Sequence, residues 1–162
     1  MIHIISLYNE IIDILAKLLY HLIEKGHSMN KNYNTSYTYD EIKNVLCEIR
    51  NCIKEDKYQI SLNPKRVKNL DFISTYNLRK NDQKNILLGI KAEDFCYTLQ
   101  NEHEGYEHEI LYVFAPKVNL IDAFGEDKTV AIYVKLNFIK ENDYTVVISF
   151  HELQFPINYL FK

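Results

Sequence analysis

Hydrophobic residues in the N-terminal part of the chain recur every three or four positions, a spacing that predicts amphipathic helices. Residues 1–28 are the first such stretch, and polar residues form one stripe along it: Glu10, Asp13, Lys17, His21 and Glu24. Because these residues interrupt every apolar run of bilayer length, we expect a helix that does not span a membrane. A polar segment follows, so the pattern predicts an N-terminal extension, residues 1–38, and one domain, residues 39–162.

Three interpretations of residues 1–28 stay open: they pack on the domain, they bind a partner, or they are not translated. The third arises because the codons of Lys25 and Gly26 can read as a bacterial ribosome-binding sequence two codons upstream of Met29. Mass spectrometry of the natively expressed protein distinguishes a start at Met29 from a start at Met1.

The domain is predicted to begin with a helix over residues 39–56. Thr38 and Glu41 have the spacing of a capping box, which satisfies the first backbone N–H groups of a helix. The apolar positions that follow lie on one helical face: Ile42, Val45, Leu46, Ile49, Cys52 and Ile53.

Two shorter helices are predicted next, after an extended link, "YQISL". The pair Asn63-Pro64 supplies an N-cap and a proline at the first helical position. The buried stripe predicted for this second helix consists of Val67, Leu70, Ile73 and Tyr76. The third helix is predicted from about Lys80 to Leu88, ending at Gly89, and "AEDFCYTL" is interpreted as one more turn.

Beyond residue 105 the hydrophobic period changes to two, which is typical of strands. The segments "EHEILYVFAP", "KTVAIYVKLNFI" and "YTVVISFHEL" predict three strands, the last two joined as a hairpin across "KENDY". Helices followed by an antiparallel meander indicate an α+β fold, with the N-terminal helices packed on one face of a small antiparallel sheet.

Alternation along the last two strands predicts which side chains face the helices. The predicted core positions are Val130, Ile132, Val134, Leu136, Phe138, Val146, Ile148 and Phe150. The outward positions of the last strand are then Thr145, Val147, Ser149 and His151. Tyr133, Lys135 and His151 should therefore share the face away from the helices, while Glu152 points to the opposite face.

These three side chains would suit RNA cleavage. Histidine transfers protons near neutral pH, lysine stabilises charge on a phosphate, and tyrosine contacts a phosphate or stacks on a base. RNA supplies its own nucleophile, the 2′-hydroxyl, so the reaction needs neither a metal nor a cofactor. The alternative interpretation is that all three are ordinary polar residues of an exposed sheet face.

Composition and cysteine spacing indicate the class of protein and its expected location. The chain is 47% hydrophobic and 25% charged, which is typical of a folded domain. The three cysteines, Cys47, Cys52 and Cys96, have neither disulfide-framework nor zinc spacing, which favours a reducing, cytoplasmic location. "EHEGYEHE" has metal-ligand residue types, but its spacing fits no zinc helix, so no metal site is predicted there.

Four segments, in order, resemble the MqsR-like family of type II toxin–antitoxin toxins, which are RelE-like mRNA interferases. They are "NPKRVKNLDFISTYNL", "ILLGIKAEDF", "VAIYVKLNF" and "VVISFHELQFPINY", and the last is the most specific. The resemblance covers roughly residues 40–162 and does not include residues 1–38. It implies an endoribonuclease that acts on mRNA and is held inactive by a cognate antitoxin protein.

The resemblance also assigns residues. Tyr133 falls on a family tyrosine that acts in cleavage and Lys135 on a nearby lysine, whereas His151 stands where better-known members have lysine. Two positions depart from the family: Tyr97 replaces a lysine and Val113 lies near a glutamine position. Catalysis would therefore rest on His151, Lys135 and Tyr133.

Charge is a further departure, because RNA affinity rests on neutralised phosphates and this chain has a net charge of −3. The basic residues are concentrated in residues 60–91 and the acidic ones in residues 92–110. RNA contact is accordingly predicted at Lys65, Arg66, Lys68 and Lys91. The acidic balance and Tyr97 leave a second hypothesis open, a catalytically silent module that binds RNA or a partner protein.

Overall fold

The computed structural model describes residues 33–122 and 124–162, and residues Tyr33–Lys162 form one compact unit. The predictions for residues 1–28 and for a start at Met29 lie outside the described residues. Residues 33–38, which the sequence assigned to the extension, include a short strand, β1 (Tyr33–Asn34), that pairs with the domain's sheet.

Helix α1 (Tyr39–Lys54) confirms the first predicted helix and its capping box. The backbone N–H of Glu41 donates to the Thr38 hydroxyl at 3.3 Å, and the N–H of Thr38 donates to the Glu41 carboxylate at 2.7 Å. Five apolar side chains of one face are buried: Ile42, Leu46, Ile49, Cys52 and Ile53.

Helix α2 (Val67–Thr75) begins after a 3-10 turn, Pro64–Arg66, that Asn63 caps as predicted. Its predicted buried stripe was partly wrong. Val67 and Leu70 are 53% and 42% exposed, whereas Asn69 and Phe72 are buried. The face of α2 that packs on the sheet differs from the predicted apolar stripe, because Asn69 on that face hydrogen-bonds to the backbone of the last strand.

Helix α3 (Lys80–Gly89) confirms the third predicted helix. Buried side chains of all three helices belong to one hydrophobic cluster that includes the inward residues of the sheet. The helices therefore pack on the same layer of core, and none of them, within the described residues, is long and apolar enough to cross a membrane.

Within residues 33–122 and 124–162, seven strands form the sheet, more than the three that alternation predicted. Besides β1 they are β2 (Tyr58–Ile60), β3 (Phe95–Gln100), β4 (Ile110–Phe114), β5 (Lys117–Ile121), β6 (Asp127–Ile139) and β7 (Tyr144–Glu152). Their order is β1-β3-β4-β6-β7-β2, with β5 paired to β6, and all pairs are antiparallel except β2–β7. The α+β class predicted from the sequence is confirmed in this general form.

One additional strand agrees with a predicted extended link, and another follows where a helical turn was predicted. The "YQISL" link contains β2, which pairs in parallel with residues Thr145 to Val147 of β7. The extra helical turn predicted in "AEDFCYTL" is only a 3-10 turn, Ala92–Asp94, and the chain then continues as β3.

The sheet face away from the helices carries a smaller apolar cluster. Cys96, Val113 and Ala115 are buried there, and side chains of the C-terminal segment pack on them: Leu153, Ile157 and Tyr159. The Tyr159 hydroxyl donates to the Ala115 carbonyl at 2.9 Å, which fixes the segment on this face. The C-terminal segment thus covers one side of the outer face, and the paired ends of β6 and β7 lie at the margin of the covered area.

Candidate functional site

The β6–β7 hairpin brings the three predicted site residues together. Tyr133 lies directly opposite His151, and Lys135 lies opposite Ser149 one pair further along. The rings of Tyr133 and His151 stack, with their centroids 5.4 Å apart and an interplanar angle of 25°. All three predicted side chains are half-buried on the face away from the helices, which confirms the predicted shared face.

A β-bulge lies within this arrangement. Lys135 pairs with Ser149 while its neighbour Leu136 pairs with Val147, so Ile148 has no partner on β6. An inserted residue reverses the direction of every side chain beyond it. Bulges often occur next to active sites, where they re-aim a side chain.

The bulge corrects half of the predicted alternation in β7. Val146 and Ile148, predicted to face the core, are only half-buried, whereas Thr145 and Val147, predicted to point outward, are fully buried. A strict period of two cannot register an inserted residue, so the prediction holds only beyond the bulge. There His151 points outward as expected.

Asn69 of α2 supports the bulged strand. Its side-chain amide nitrogen donates to the Ser61 carbonyl at 2.8 Å and to the Ile148 carbonyl at 3.2 Å. Its amide oxygen accepts a hydrogen bond from the Phe150 N–H at 2.9 Å. These bonds satisfy backbone groups of β7 beyond its pairing with β2. Asn69 therefore fixes the backbone immediately before His151.

The hydrogen bonding of His151 selects one tautomer. Its Nδ1 lies 3.0 Å from the Glu152 carbonyl oxygen, which can only accept a hydrogen bond. Nδ1 must therefore carry the hydrogen when the ring is neutral, and Nε2 is left with a lone pair. Nε2 is the nitrogen that can take a proton from a bound substrate.

Burial and nearby cations keep this imidazole neutral. Partial burial lowers the pKa of His151 below its ordinary value of 6.5, and Lys68, Lys135 and Arg66 lower it further. The hydrogen bond to Glu152 opposes them. A neutral imidazole surrounded by cations is suited to accept a proton next to a bound phosphate, because the same cations attract the phosphate.

Lys135 is perturbed in a related way. Burial lowers its pKa, repulsion from Arg66 lowers it further, and attraction to Glu102 raises it. A lysine of lowered pKa gives up its proton more readily than a solvated lysine does. Glu102 also shows that one residue of the acidic segment acts on the site.

Tyrosines continue from the site across the outer face. Tyr133 hydrogen-bonds to Tyr97, whose ring stacks on Tyr33 with centroids 4.4 Å apart. Burial raises the pKa of both Tyr97 and Tyr133, while their mutual bond raises that of Tyr97 and lowers that of Tyr133. Tyr133 therefore stays a neutral phenol that can donate its own hydrogen.

The four predicted RNA-binding residues divide into two groups. Arg66 and Lys68 act electrostatically on His151. Lys65 is exposed beside them, with its backbone N–H bound to the Asn63 side chain. Lys91 instead lines a separate cavity of about 350 Å³ together with Lys117.

The segment "EHEGYEHE" forms an exposed turn. His103 and His108 are both exposed, and Glu109 accepts hydrogen bonds at 2.7 Å from the side chains of Asn101 and Asn137. Within the described residues, no group of three or more His, Cys, Asp or Glu side chains is placed to hold a metal ion.

Two residues at the site were missed by sequence reasoning. One sequence signal could have indicated Asn69: it is an amide side chain within an apolar helix, one turn before Phe72. Tyr76 donates to the Glu152 carboxylate at 3.5 Å, across 76 residues of sequence, whereas its pattern predicts only a core position.

The direction predicted for the Glu152 side chain is confirmed. Glu152 pairs with Ile132, whose side chain is in the core.

Comparison with known proteins finds no family model that matches the chain, and neither a curated protein nor a solved structure matches it significantly.

Proposed function

We propose that this chain is the toxin of a type II toxin–antitoxin system, an endoribonuclease that cleaves mRNA without a metal. The observation that carries the proposal is the His151 imidazole, which is stacked on Tyr133, shares a sheet face with Lys135 and is acted on electrostatically by Arg66 and Lys68. The resemblance of four ordered segments to MqsR-like toxins supports the biological role, with mRNA as substrate and a cognate antitoxin as partner.

In the proposed reaction, Nε2 of His151 accepts the proton of the ribose 2′-hydroxyl. The 2′-oxygen then attacks the adjacent phosphorus, and the bond to the 5′-oxygen of the next nucleotide breaks. The products are a 2′,3′-cyclic phosphate and a 5′-hydroxyl, whose proton comes from the protein. No metal is required, because the nucleophile belongs to the RNA and protein cations stabilise the phosphate.

Lys135 and Tyr133 supply the remaining functions. Lys135 stabilises the negative charge that develops on the phosphate oxygens, and its lowered pKa favours transfer of its proton to the leaving oxygen. Tyr133 is a neutral phenol directly opposite His151, so its hydroxyl donates to the phosphate. Both side chains already hold these positions on the sheet before the RNA binds.

The test compares His151→Ala with His108→Ala, a substitution of the same type in the exposed turn. We expect His151→Ala to abolish growth arrest on expression and to slow cleavage of single-stranded RNA in the presence of chelator by at least about a hundredfold. His108→Ala should retain both activities. A folded His151→Ala protein that is fully toxic and fully active contradicts the mechanism.

A catalytically silent binding module is the second candidate. It is favoured by Tyr97, which occupies the position of a family lysine, and by the net charge of −3. The same chelated assay distinguishes the two candidates, because a nuclease yields cyclic-phosphate ends and a module retains intact RNA.

A further inference from the structure

A cavity of about 160 Å³ lies beside His151, on the side of β7 that faces α2. Its walls include Asp71, Phe72, Thr75, Tyr76, His151 and Glu152. Lys68 and Gln154 also line it, and the Lys68 ammonium group donates to the Gln154 side-chain oxygen at 2.6 Å. His151 thus lines this cavity and also stacks on Tyr133.

The size and walls of the cavity suit a single flat ring system. Pockets for drug-sized ligands typically measure about 300–1,000 Å³, so this cavity is too small for a whole nucleotide. Tyr76 supplies a half-buried aromatic ring, which packs on the buried ring of Phe72 with centroids 5.2 Å apart. Aromatic walls are a common means of holding unstacked RNA bases.

Two carboxylates and one ammonium group line the cavity, so its charge disfavours a phosphate and favours a hydrogen-bond donor. Asp71 and Glu152 contribute two carboxylates, which when ionised only accept hydrogen bonds. Two of the cations that act on His151, Arg66 and Lys135, do not line the cavity. A nucleotide at this site would therefore place its phosphate by the cations and its base by the carboxylates.

We propose that this cavity binds the base of a nucleotide flanking the cleaved phosphate and selects bases with an exocyclic amino group. Guanine, adenine and cytosine each present amino hydrogens to the Asp71 and Glu152 carboxylates, whereas uracil presents two carbonyl oxygens and one imino hydrogen. This inference rests on the proposed function, since it assigns the specificity of the same site.

The test is sequencing of the cleavage sites in single-stranded RNA of randomised sequence. For the wild-type protein we expect one flanking position at which amino-bearing bases exceed uracil by about tenfold or more. Glu152→Gln and Asp71→Asn should each reduce that preference severalfold. The matched control is Glu141→Gln, the same charge change in the turn at the other end of β7, and it should keep the preference.

The outcomes separate the two proposals. Cleavage without base preference, or with a preference that neither cavity variant changes, overturns the inference and leaves the nuclease standing. If the wild-type protein cleaves nothing, the proposed function fails. The inference is then decided by fluorescence anisotropy with 2′-O-methyl oligouridine that does or does not contain one guanosine. A binding preference for guanosine that Glu152→Gln removes supports the cavity as a base site, and equal affinities overturn it.

Discussion

The side-chain oxygen of Asn69 accepts a hydrogen bond from the backbone N–H of Phe150 at 2.9 Å, which ties helix α2 to the residue before His151. The same side chain donates to two backbone carbonyls and is only 1% exposed. Asn69 thus gives the backbone of β7 hydrogen bonds of the kind that a neighbouring strand would provide. The position of the His151 imidazole therefore depends on a helix far away in sequence.

Asn69→Leu is expected to lower the free energy of unfolding by roughly 2–4 kcal/mol, because it leaves buried backbone groups without partners. Chemical denaturation measures the change. Asn44→Leu, on the exposed side of α1, is the matched control and should stay within about 0.5 kcal/mol of wild type. Equal losses in the two variants would contradict the structural role of Asn69.

The pKa of His151 is expected to lie below 6.5, because burial and three cations disfavour the imidazolium. Lys68→Met removes one of these cations and should raise the pKa, whereas Lys140→Met, in the turn at the far end of the hairpin, should not change it. Titration of the histidine ring signals by NMR measures both. A pKa above 6.5 in the free wild-type protein would contradict the proposed neutral base.

The same shift predicts how stability depends on pH. The folded chain holds His151 neutral, so between its folded pKa and the ordinary 6.5 the unfolded chain binds more protons. Protonation therefore favours unfolding, and this contribution to stability is lost as the pH falls below about 6.5. Denaturation midpoints of wild type and His151→Gln at several pH values should diverge in that direction, and parallel curves would contradict it.

The helices and main strands could be predicted because their signals are local. The Thr38–Glu41 capping box and the Asn63-Pro64 start depend on residues within one turn, and the structure has both. The shared face of Tyr133 and His151 followed from the alternation of adjacent strands.

Features that depend on distant contacts could not be predicted in this way. The three residues of β2 form a strand only because β7 lies beside them. The bulge at Ile148 inserts one residue without any local signal in the sequence. Asn69 donates a hydrogen bond to the Ile148 carbonyl, but the apolar pattern of its helix predicted that other residues face the sheet. The cations that act on His151 likewise come from two segments far apart in sequence, residues 66–68 and Lys135.

Tyr133→Phe should slow cleavage by about a hundredfold if its hydroxyl donates to the phosphate, since loss of one such donor typically costs that much. Tyr97→Phe removes only the bond that holds the Tyr133 hydroxyl, so we expect a loss of about fivefold, equivalent to one ordinary hydrogen bond. Tyr106→Phe, in the exposed turn, is the control. Single-turnover cleavage rates measure all three, and a larger effect at Tyr97 than at Tyr133 would reverse the assigned roles.

RNA affinity should depend on salt through the cations around His151. Each phosphate neutralised on a single strand contributes about 0.7 to the slope of log affinity against log salt, so contacts by Arg66, Lys68 and Lys135 predict a slope near −2. Lys68→Met should make the slope less steep by about 0.7, while Lys91→Met, beside the separate cavity, should leave it unchanged. Fluorescence anisotropy of an uncleavable 2′-O-methyl oligonucleotide at several salt concentrations gives the slopes. If Lys91→Met flattened the slope and Lys68→Met did not, the RNA backbone would pass over the other cavity, away from the imidazole.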